Sequence, residues 1–188
     1  MVERTLRIFR GPVVLDADAL NAFAGDVDAL AALIGHRECL LTPHPAEFAR
    51  LVNRDVDDVL YERFDAPLEL AGRIGATVLF KGVPTIIAAP NGESIVVAEG
   101  TPILATGGSG DVLGGIAVTL LAQTSSALTG GALAAFAHGR AAALVSTREV
   151  RGYTLDDVLA ALPQAWALEA PVLRYPILAE LPAVGEGT

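Results

Sequence analysis

A glycine-rich stretch in the second half of the chain constrains its fold more than any other feature. Residues 105–115 read Ala-Thr-Gly-Gly-Ser-Gly-Asp-Val-Leu-Gly-Gly, and the sequence stays largely apolar to residue 122. Glycines permit the positive φ angles of a tight turn, and a long apolar run is typical of a buried helix. The pattern therefore predicts a tight turn that opens a helix, with Asp111 among the first residues of that helix.

Such a turn is suited to hold an anion. The first N–H groups of a helix have no partner inside the helix, and they lie at the positive end of its dipole. An aspartate beside a bound phosphate can act as a base. Asp111 could equally do no more than stabilise the helix N-terminus, which is a common role for an acid in a first turn. The stretch is not a P-loop, because no Gly-Lys-Ser/Thr follows it.

The composition excludes several classes of protein. Of 188 residues, 52% are hydrophobic and 19% charged, which predicts a single folded domain, 1–188, with a sizeable core. The net charge of −9 argues against nucleic acid or an anionic membrane as a partner. The one cysteine, Cys39, excludes an intrachain disulfide and a cysteine-based zinc site. Residues 1–10 do not resemble a secretory signal, and we expect a cytoplasmic protein.

The apolar pattern predicts a mixed, mainly parallel sheet. Three short apolar runs are typical of parallel strands covered on both faces: residues 12–15, 39–42 and 77–80. Two further runs, 85–89 and 94–98, flank Asn91-Gly92, which is a strong hairpin signal. Helical patterns connect and follow these runs. The chain is therefore expected to form a three-layer α/β/α domain.

Polar residues follow each of the three parallel runs. They include Asp16 and Asn21 after the first run, His44 after the second and Lys81 after the third. Ligands of open α/β sheets bind at the carboxyl ends of the strands, so these residues are candidates for a site. Each also has a structural interpretation: Asp18 is expected to cap a helix, His44 could be a structural residue between two prolines, and Lys81 could be a surface residue.

Three further helices are expected. They cover residues 57–74 (divided by Pro67), 128–147, and 154–167. His138 and Arg140 in the second of them are expected to be partly exposed or satisfied locally. Residues 154–157, Thr-Leu-Asp-Asp, resemble a capping box with aspartate in place of the usual glutamate. The proline-rich tail, 171–188, is expected to be irregular.

Four segments carry a family resemblance when they are taken together and in order: 14–21, 41–47, 81–85 and 105–113. They resemble the ADP- or ATP-dependent NAD(P)H-hydrate dehydratases, a branch of the ribokinase-like fold. The resemblance runs from about residue 11 to residue 163. Ala46 stands where the family usually has glycine, and members of the family have a long N-terminal portion before the first of these segments. We therefore expect an N-terminally truncated ribokinase-like domain that forms a homo-oligomer or associates with a complementing N-terminal polypeptide.

The resemblance implies the repair of hydrated NADH or NADPH. Enzymes of this family phosphorylate the added ring hydroxyl from ADP or ATP, with Mg²⁺, and phosphate is then eliminated. By this resemblance Asp111 is the base and contacts the substrate, and His44 contacts the hydrated dinucleotide. The nucleotide contacts implied are Lys81, Gly82, Val83, Pro84, Thr85 and Gly110. The amides around Gly108, Ser109 and Gly110 would stabilise the developing charge. No residue is assigned as a metal ligand, because Mg²⁺ is expected to arrive with the nucleotide.

Two other functions stay open at this point. One is a kinase of a small alcohol, such as a sugar or a vitamin precursor, that uses the same Gly-Ser-Gly-Asp turn. The other is a catalytically silent nucleotide-binding fragment. Residues 42–45, Thr-Pro-His-Pro, favour the dehydratase over the kinase, and the joint presence of His44, Lys81 and Asp111 argues against the silent fragment.

Overall fold

The computed structural model describes residues 1–146 and 152–167. Within them the elements are α1 (Val2–Ile8), β1 (Val13–Leu15), α2 (Asp18–Asn21), α3 (Val27–Ile34), β2 (Cys39–Leu41), α4 (Pro45–Val52), α5 (Val56–Tyr61), α6 (Ala66–Ile74), β3 (Thr77–Phe80), β4 (Thr85–Ala88), β5 (Ser94–Val97), α7 (Ser109–Thr124), α8 (Ala127–Val145) and α9 (Leu155–Ala165). A short 3₁₀ helix, Pro102–Leu104, precedes the glycine-rich turn. The expected irregular tail lies outside the described residues.

The strands form one sheet in the order β1-β2-β3-β4-β5. β1, β2 and β3 are parallel, with Val13 opposite Cys39 and Leu40 opposite Thr77. β4 and β5 are antiparallel additions, and Asn91-Gly92 lies in the connection between them. The predictions of a mixed sheet and of a hairpin are confirmed, with two parallel and two antiparallel pairings among the described strands.

Alternate residues of each strand point to opposite faces of the sheet, so both faces carry apolar side chains. Helices pack on both faces and bury these side chains. One cluster of buried apolar side chains contains Leu41, Val78, Phe80 and Ile86 together with residues of α1, α3, α4 and α6. The other contains Leu40, Leu79 and Ile87 together with residues of α7 and α8. This arrangement confirms the three-layer α/β/α architecture.

The helices α7 and α8 pack closely because small residues lie between them. A Cβ atom added to Gly130 of α8 would lie 2.9 Å from the backbone nitrogen of Leu121 in α7. Ala117, Ala134 and Leu121 are fully buried at this contact. The close approach also brings the middle of α8 against the first turn of α7, where the candidate site lies.

Two expectations about single residues are wrong. Asp18 does not cap α2: the N-cap is Ala17, whose φ of 48° places Asp18 inside the helix, where its Oδ1 accepts a hydrogen bond from Asn21 Nδ2 (3.4 Å). His138 is buried, with 5% of its surface exposed, because α8 packs against the first turn of α7.

The remaining helix expectations hold, with one addition. The 57–74 pattern divides into α5 and α6, with Pro67 in the first turn of α6. Thr154 and Asp157 form the capping box of α9. Helix α1 has no counterpart among the sequence-based expectations, and it buries Leu6 in the core. Within residues 1–146 and 152–167, no helix is long and apolar enough to cross a membrane.

Candidate active site

A cavity of about 610 Å³ lies where the strands β2 and β3 end and α7 begins. Its wall includes seven of the residues singled out in the sequence: His44, Lys81, Gly82, Val83, Thr85, Ser109 and Gly110. Segments 99–102 and 104–106 close one side, and Ala135, His138 and Gly139 of α8 close another. The sheet thus brings together residues that are far apart in the chain, as the strand-end argument predicts.

The glycine-rich turn has the conformation that its sequence predicts. Gly108 is the N-cap of α7 and has a φ of 85°, a left-handed conformation that favours glycine. The Ser109 N–H donates to the Thr106 carbonyl (3.2 Å), which closes the turn. Ser109, Gly110 and Asp111 form the first helical turn, so their N–H groups lie at the positive end of the α7 dipole. The first two line the cavity, which makes this wall suited to an anion.

Lys81 is held beside that turn by two carboxylates. Its Nζ lies 2.6 Å from Asp16 Oδ1 and 4.0 Å from Glu47 Oε2, and its side chain is 19% exposed. A Cβ atom added to Gly110 would lie 3.4 Å from Nζ, so the ammonium group lies directly against the first turn of α7. The interpretation of Lys81 as a surface lysine is therefore wrong. Its positive charge lies at the end of the cavity where α7 begins.

His44 has a structural role as the N-cap of α4. Its Nδ1 accepts hydrogen bonds from the N–H groups of Ala46 (3.1 Å) and Glu47 (3.3 Å), so the proton of a neutral ring is on Nε2. Nε2 lies 3.3 Å from Glu47 Oε1, and Glu47 Oε2 accepts from the His44 N–H (2.9 Å). These bonds fix the ring at the cavity wall with 44% of the side chain exposed. Contact between His44 and a substrate stays a prediction.

Asp111 does not line this cavity. It is exposed and lines a neighbouring groove between α7 and α9, together with Ile116, Leu162 and Trp166 among others. Because Gly110 lines the cavity and Asp111 lines the groove, the two spaces meet at the first turn of α7. A carboxylate there can face a group in the groove while a phosphate occupies the cavity. Of the other residues singled out, Asp16, Asn21, Pro84 and Gly108 line neither space.

His138 is a part of the site that the sequence did not reveal. Its Nε2 lies 3.4 Å from Ser109 Oγ, within hydrogen-bond distance, and both side chains are buried. Burial, and to a lesser degree the nearby positive charge of Lys81, lower the pKa of His138 to about 4. The ring is therefore neutral at pH 7. A histidine in an otherwise apolar, Ala- and Gly-rich helix is the signal that could have identified it, because a buried polar group needs a partner.

Two carboxylates near the cavity could serve a magnesium ion that arrives with phosphates. Among the described residues, no group of three or more His, Cys, Asp or Glu side chains is placed to hold a metal ion. Asp16 and Glu47 bring two carboxylates to Lys81 at the cavity. Protein sites for Mg²⁺ often use one or two carboxylates together with substrate phosphates and water.

Comparison with known proteins gives one consistent family. The family model described as NAD(P)H-hydrate dehydratase matches residues 2–164. The ADP-dependent (S)-NAD(P)H-hydrate dehydratase of Neisseria meningitidis is 44% identical over 134 residues, which cover 71% of this chain and 45% of that protein. The bifunctional NAD(P)H-hydrate repair enzyme Nnr of Salinibacter ruber is 40% identical over 169 residues, covering 88% of this chain and 30% of that protein.

A solved structure agrees with these relatives. The ADP/ATP-dependent NAD(P)H-hydrate dehydratase of Bacillus subtilis, co-crystallised with ATP and Mg²⁺, superposes with a TM-score of 0.73 and 26% identity. The match covers 85% of this chain and 56% of that one. This likeness supports the ribokinase-like fold expected from the sequence. The chain spans about half or less of the length of the relatives that it matches.

Proposed function

The chain belongs to the NAD(P)H-hydrate dehydratase family, and from that membership we propose that it repairs hydrated NADH or NADPH in a nucleotide-dependent reaction. The observation that carries this proposal is the first turn of α7, where an anion-binding wall, the Lys81 ammonium and the Asp111 carboxylate meet between a cavity and a groove. The cavity, at about 610 Å³, is within the usual size range of small-molecule sites.

The nucleotide occupies the cavity in this proposal. Its phosphates lie against the N–H group of Gly110 at the positive end of the α7 dipole, and the Lys81 ammonium offsets their negative charge. Val83 and Thr85 form the wall on the side of Lys81. Asp16 and Glu47 would be the carboxylates near a Mg²⁺ ion that arrives with the phosphates, and such an ion would supply further charge neutralisation.

Asp111 then acts on the hydrated nicotinamide ring. Its carboxylate takes the proton of the ring hydroxyl, whose oxygen attacks the terminal phosphorus, and the bond from that phosphorus to the bridging oxygen breaks. In the second step the ring C–O bond breaks, phosphate leaves and a proton is lost from the adjacent ring carbon. The dihydronicotinamide is restored. Proton transfer by a placed side chain contributes roughly 10²–10⁴ in rate.

The finer features of this function are proposals as well. The Neisseria relative is described as ADP-dependent and the Bacillus enzyme as ADP/ATP-dependent, and we propose that this chain uses one of these two nucleotides. We propose NADHX or NADPHX as the substrate. A homo-oligomer or a complementing polypeptide, and a cytoplasmic location, also stay predictions.

Replacement of Asp111 by asparagine tests the proposed base directly. Asp111→Asn keeps the shape of the side chain and removes its basicity, so the rate of NADH recovery should fall by roughly 10²–10⁴. The dissociation constant of the nucleotide should stay within about threefold, because the phosphates contact the cavity side of the turn. Both quantities are measured, by steady-state assay and by calorimetry, on the same preparation.

Asp156→Asn is the matched control, because Asp156 is also an exposed acid in the first turn of a helix. It should leave the rate unchanged. Full activity in Asp111→Asn would show that Asp111 is not the base. A stable phosphorylated alcohol as the product, in place of recovered NADH, would indicate a kinase.

A further inference from the structure

Arg63 joins the connection between α5 and α6 to the loop that follows β3. Its Nη2 donates to the Pro84 carbonyl (2.6 Å), and its Nη1 lies 3.5 Å from the Val83 carbonyl. The guanidinium group is partly buried and does not line the cavity. Arg63 therefore contacts the loop without forming part of the cavity wall.

Gly82 shows how close this contact is. A Cβ atom added to Gly82 would lie 2.7 Å from Arg63 Nη2, so the guanidinium group fills the space that a side chain would occupy. The Thr85 hydroxyl donates to the Gly82 carbonyl (2.8 Å) and closes the loop from within. The carbonyls of three successive residues, Gly82 to Pro84, are thus held by Arg63 and Thr85.

The same loop supplies a wall of the cavity. Lys81, Gly82, Val83 and Thr85 line it, and Lys81 reaches from there to the first turn of α7. The buried Nε of Arg63 has no hydrogen-bond partner within the described residues, so the bonds of its guanidinium group are directed to the loop. A planar guanidinium can donate to two carbonyls in a fixed geometry, which a lysine ammonium does not reproduce.

We propose that Arg63 is a positioning residue for nucleotide binding, which holds residues 82–84 in the conformation that presents the loop to the cavity. The inference rests on the proposed function, in which this cavity takes an adenine nucleotide. Arg63 itself does not touch the nucleotide. Its loss lets the loop leave the bound geometry, so the affinity for the nucleotide falls while the chemical step at Asp111 is retained.

The test is the dissociation constant of ATP and of ADP, each with Mg²⁺, measured by calorimetry. Arg63→Ala should weaken binding about tenfold, the order expected from losing a charge-assisted hydrogen bond. The rate at saturating nucleotide should stay within about twofold of wild type. Arg73→Ala is the matched control, because Arg73 forms an exposed pair with Asp28 and should leave the affinity unchanged.

Chemical rescue separates positioning from a merely structural role. Guanidinium chloride at a few millimolar should restore much of the affinity of Arg63→Ala, whereas sodium chloride at the same ionic strength should not. If Arg63→Ala does not fold, the same measurement is made on Arg63→Gln. Glutamine keeps much of the length of the side chain but can donate from only one group, so this variant should also bind the nucleotide more weakly than wild type.

The outcomes distinguish the two claims. A wild-type chain that binds neither ATP nor ADP overturns the proposed function and this inference together. Normal nucleotide affinity in Arg63→Ala or Arg63→Gln, even with a lowered melting temperature, overturns only the inference and leaves the proposed function standing. Weaker binding with retained saturating rate and rescue by guanidinium supports both.

Discussion

The protonation of His138 is linked to folding. This residue is 5% exposed, and its Nε2 lies 3.4 Å from Ser109 Oγ in the glycine-rich turn. Burial and the Lys81 charge lower its pKa to about 4, compared with about 6.5 for a free histidine. The neutral ring therefore links α8 to the first turn of α7.

This pKa shift predicts a loss of stability in mild acid. Between pH 6.5 and pH 4 the unfolded chain binds a proton at His138 that the folded chain does not, so stability falls as the pH is lowered through this window. The fall in the free energy of unfolding from pH 7 to pH 5 should be about 2 kcal/mol larger in wild type than in His138→Gln. Urea unfolding at several pH values measures it.

His36→Gln is the control, because His36 is exposed and no comparable cost of burial applies to it. The free energy of unfolding of His36→Gln should fall from pH 7 to pH 5 by as much as that of wild type. The same pH dependence in His138→Gln and in wild type would contradict the burial argument.

For single residues, the sequence predicts which side chains come together at the site, but not which of them form ion pairs or become buried. His44 and Lys81 follow parallel strands, so their meeting at one edge could be predicted from the strand pattern alone. The 2.6 Å contact of Lys81 with Asp16 depends on strand register and on side-chain rotamers. The burial of His138 depends on how closely α8 approaches α7, and the Ala- and Gly-rich sequence of α8 permits this approach without specifying it.

Among the elements, the α7–α8 pair depends most on particular small residues. Gly130 of α8 lies against the backbone of Leu120 and Leu121 in α7, and Gly139 lies against the backbone of Glu99. A Cβ atom at Gly139 would be 2.6 Å from the Glu99 carbonyl carbon. These contacts set the position of α8 at the cavity, since Gly139 and Glu99 both line it.

Gly130→Ala should therefore destabilise the protein. Its Cβ atom would meet backbone atoms at 2.9–3.2 Å, and overpacking of this kind costs about 1–3 kcal/mol. Gly114→Ala in α7 is the control, because a Cβ atom there meets no atom within 4 Å. That variant should be neutral or up to ~1 kcal/mol more stable, since alanine favours helix. Denaturant unfolding measures the free energy of unfolding of both variants. Equal values for the two would contradict close packing of α8 on α7 at Gly130.

The elements themselves are mostly predictable. The five strands follow from apolar periodicity, and the hairpin follows from Asn91-Gly92. The capping box of α9 follows from Thr154. Helix α2 shows where local reasoning fails. In a helix of only four residues, the positive φ of Ala17 decides where the helix begins, and the position of Asp18 in the sequence does not reveal it.

At the scale of the whole molecule, the packing of the sheet with α7, α8 and α9 creates two adjoining spaces, the cavity and the groove. They lie on the two sides of the first turn of α7. The cavity is bounded by β-strand ends, segment 99–106 and α8, while the groove lies between α7 and α9. Both spaces form only when distant elements pack. The strand pattern predicts a site at the strand ends, where the cavity lies, but nothing in the sequence predicts the groove. The residues at their junction, Gly110 and Asp111, could be predicted from the glycine-rich turn.

This junction is the basis of the central claim, that a phosphoryl group passes from a nucleotide in the cavity to a hydroxyl in the groove. The most direct measurement follows the recovery of NADH absorbance from hydrated NADH, with ADP or ATP and Mg²⁺, and counts the phosphate released. The account predicts recovery only in the presence of nucleotide, with one phosphate released for each NADH restored. Recovery without nucleotide, or phosphate release without recovered NADH, would contradict it.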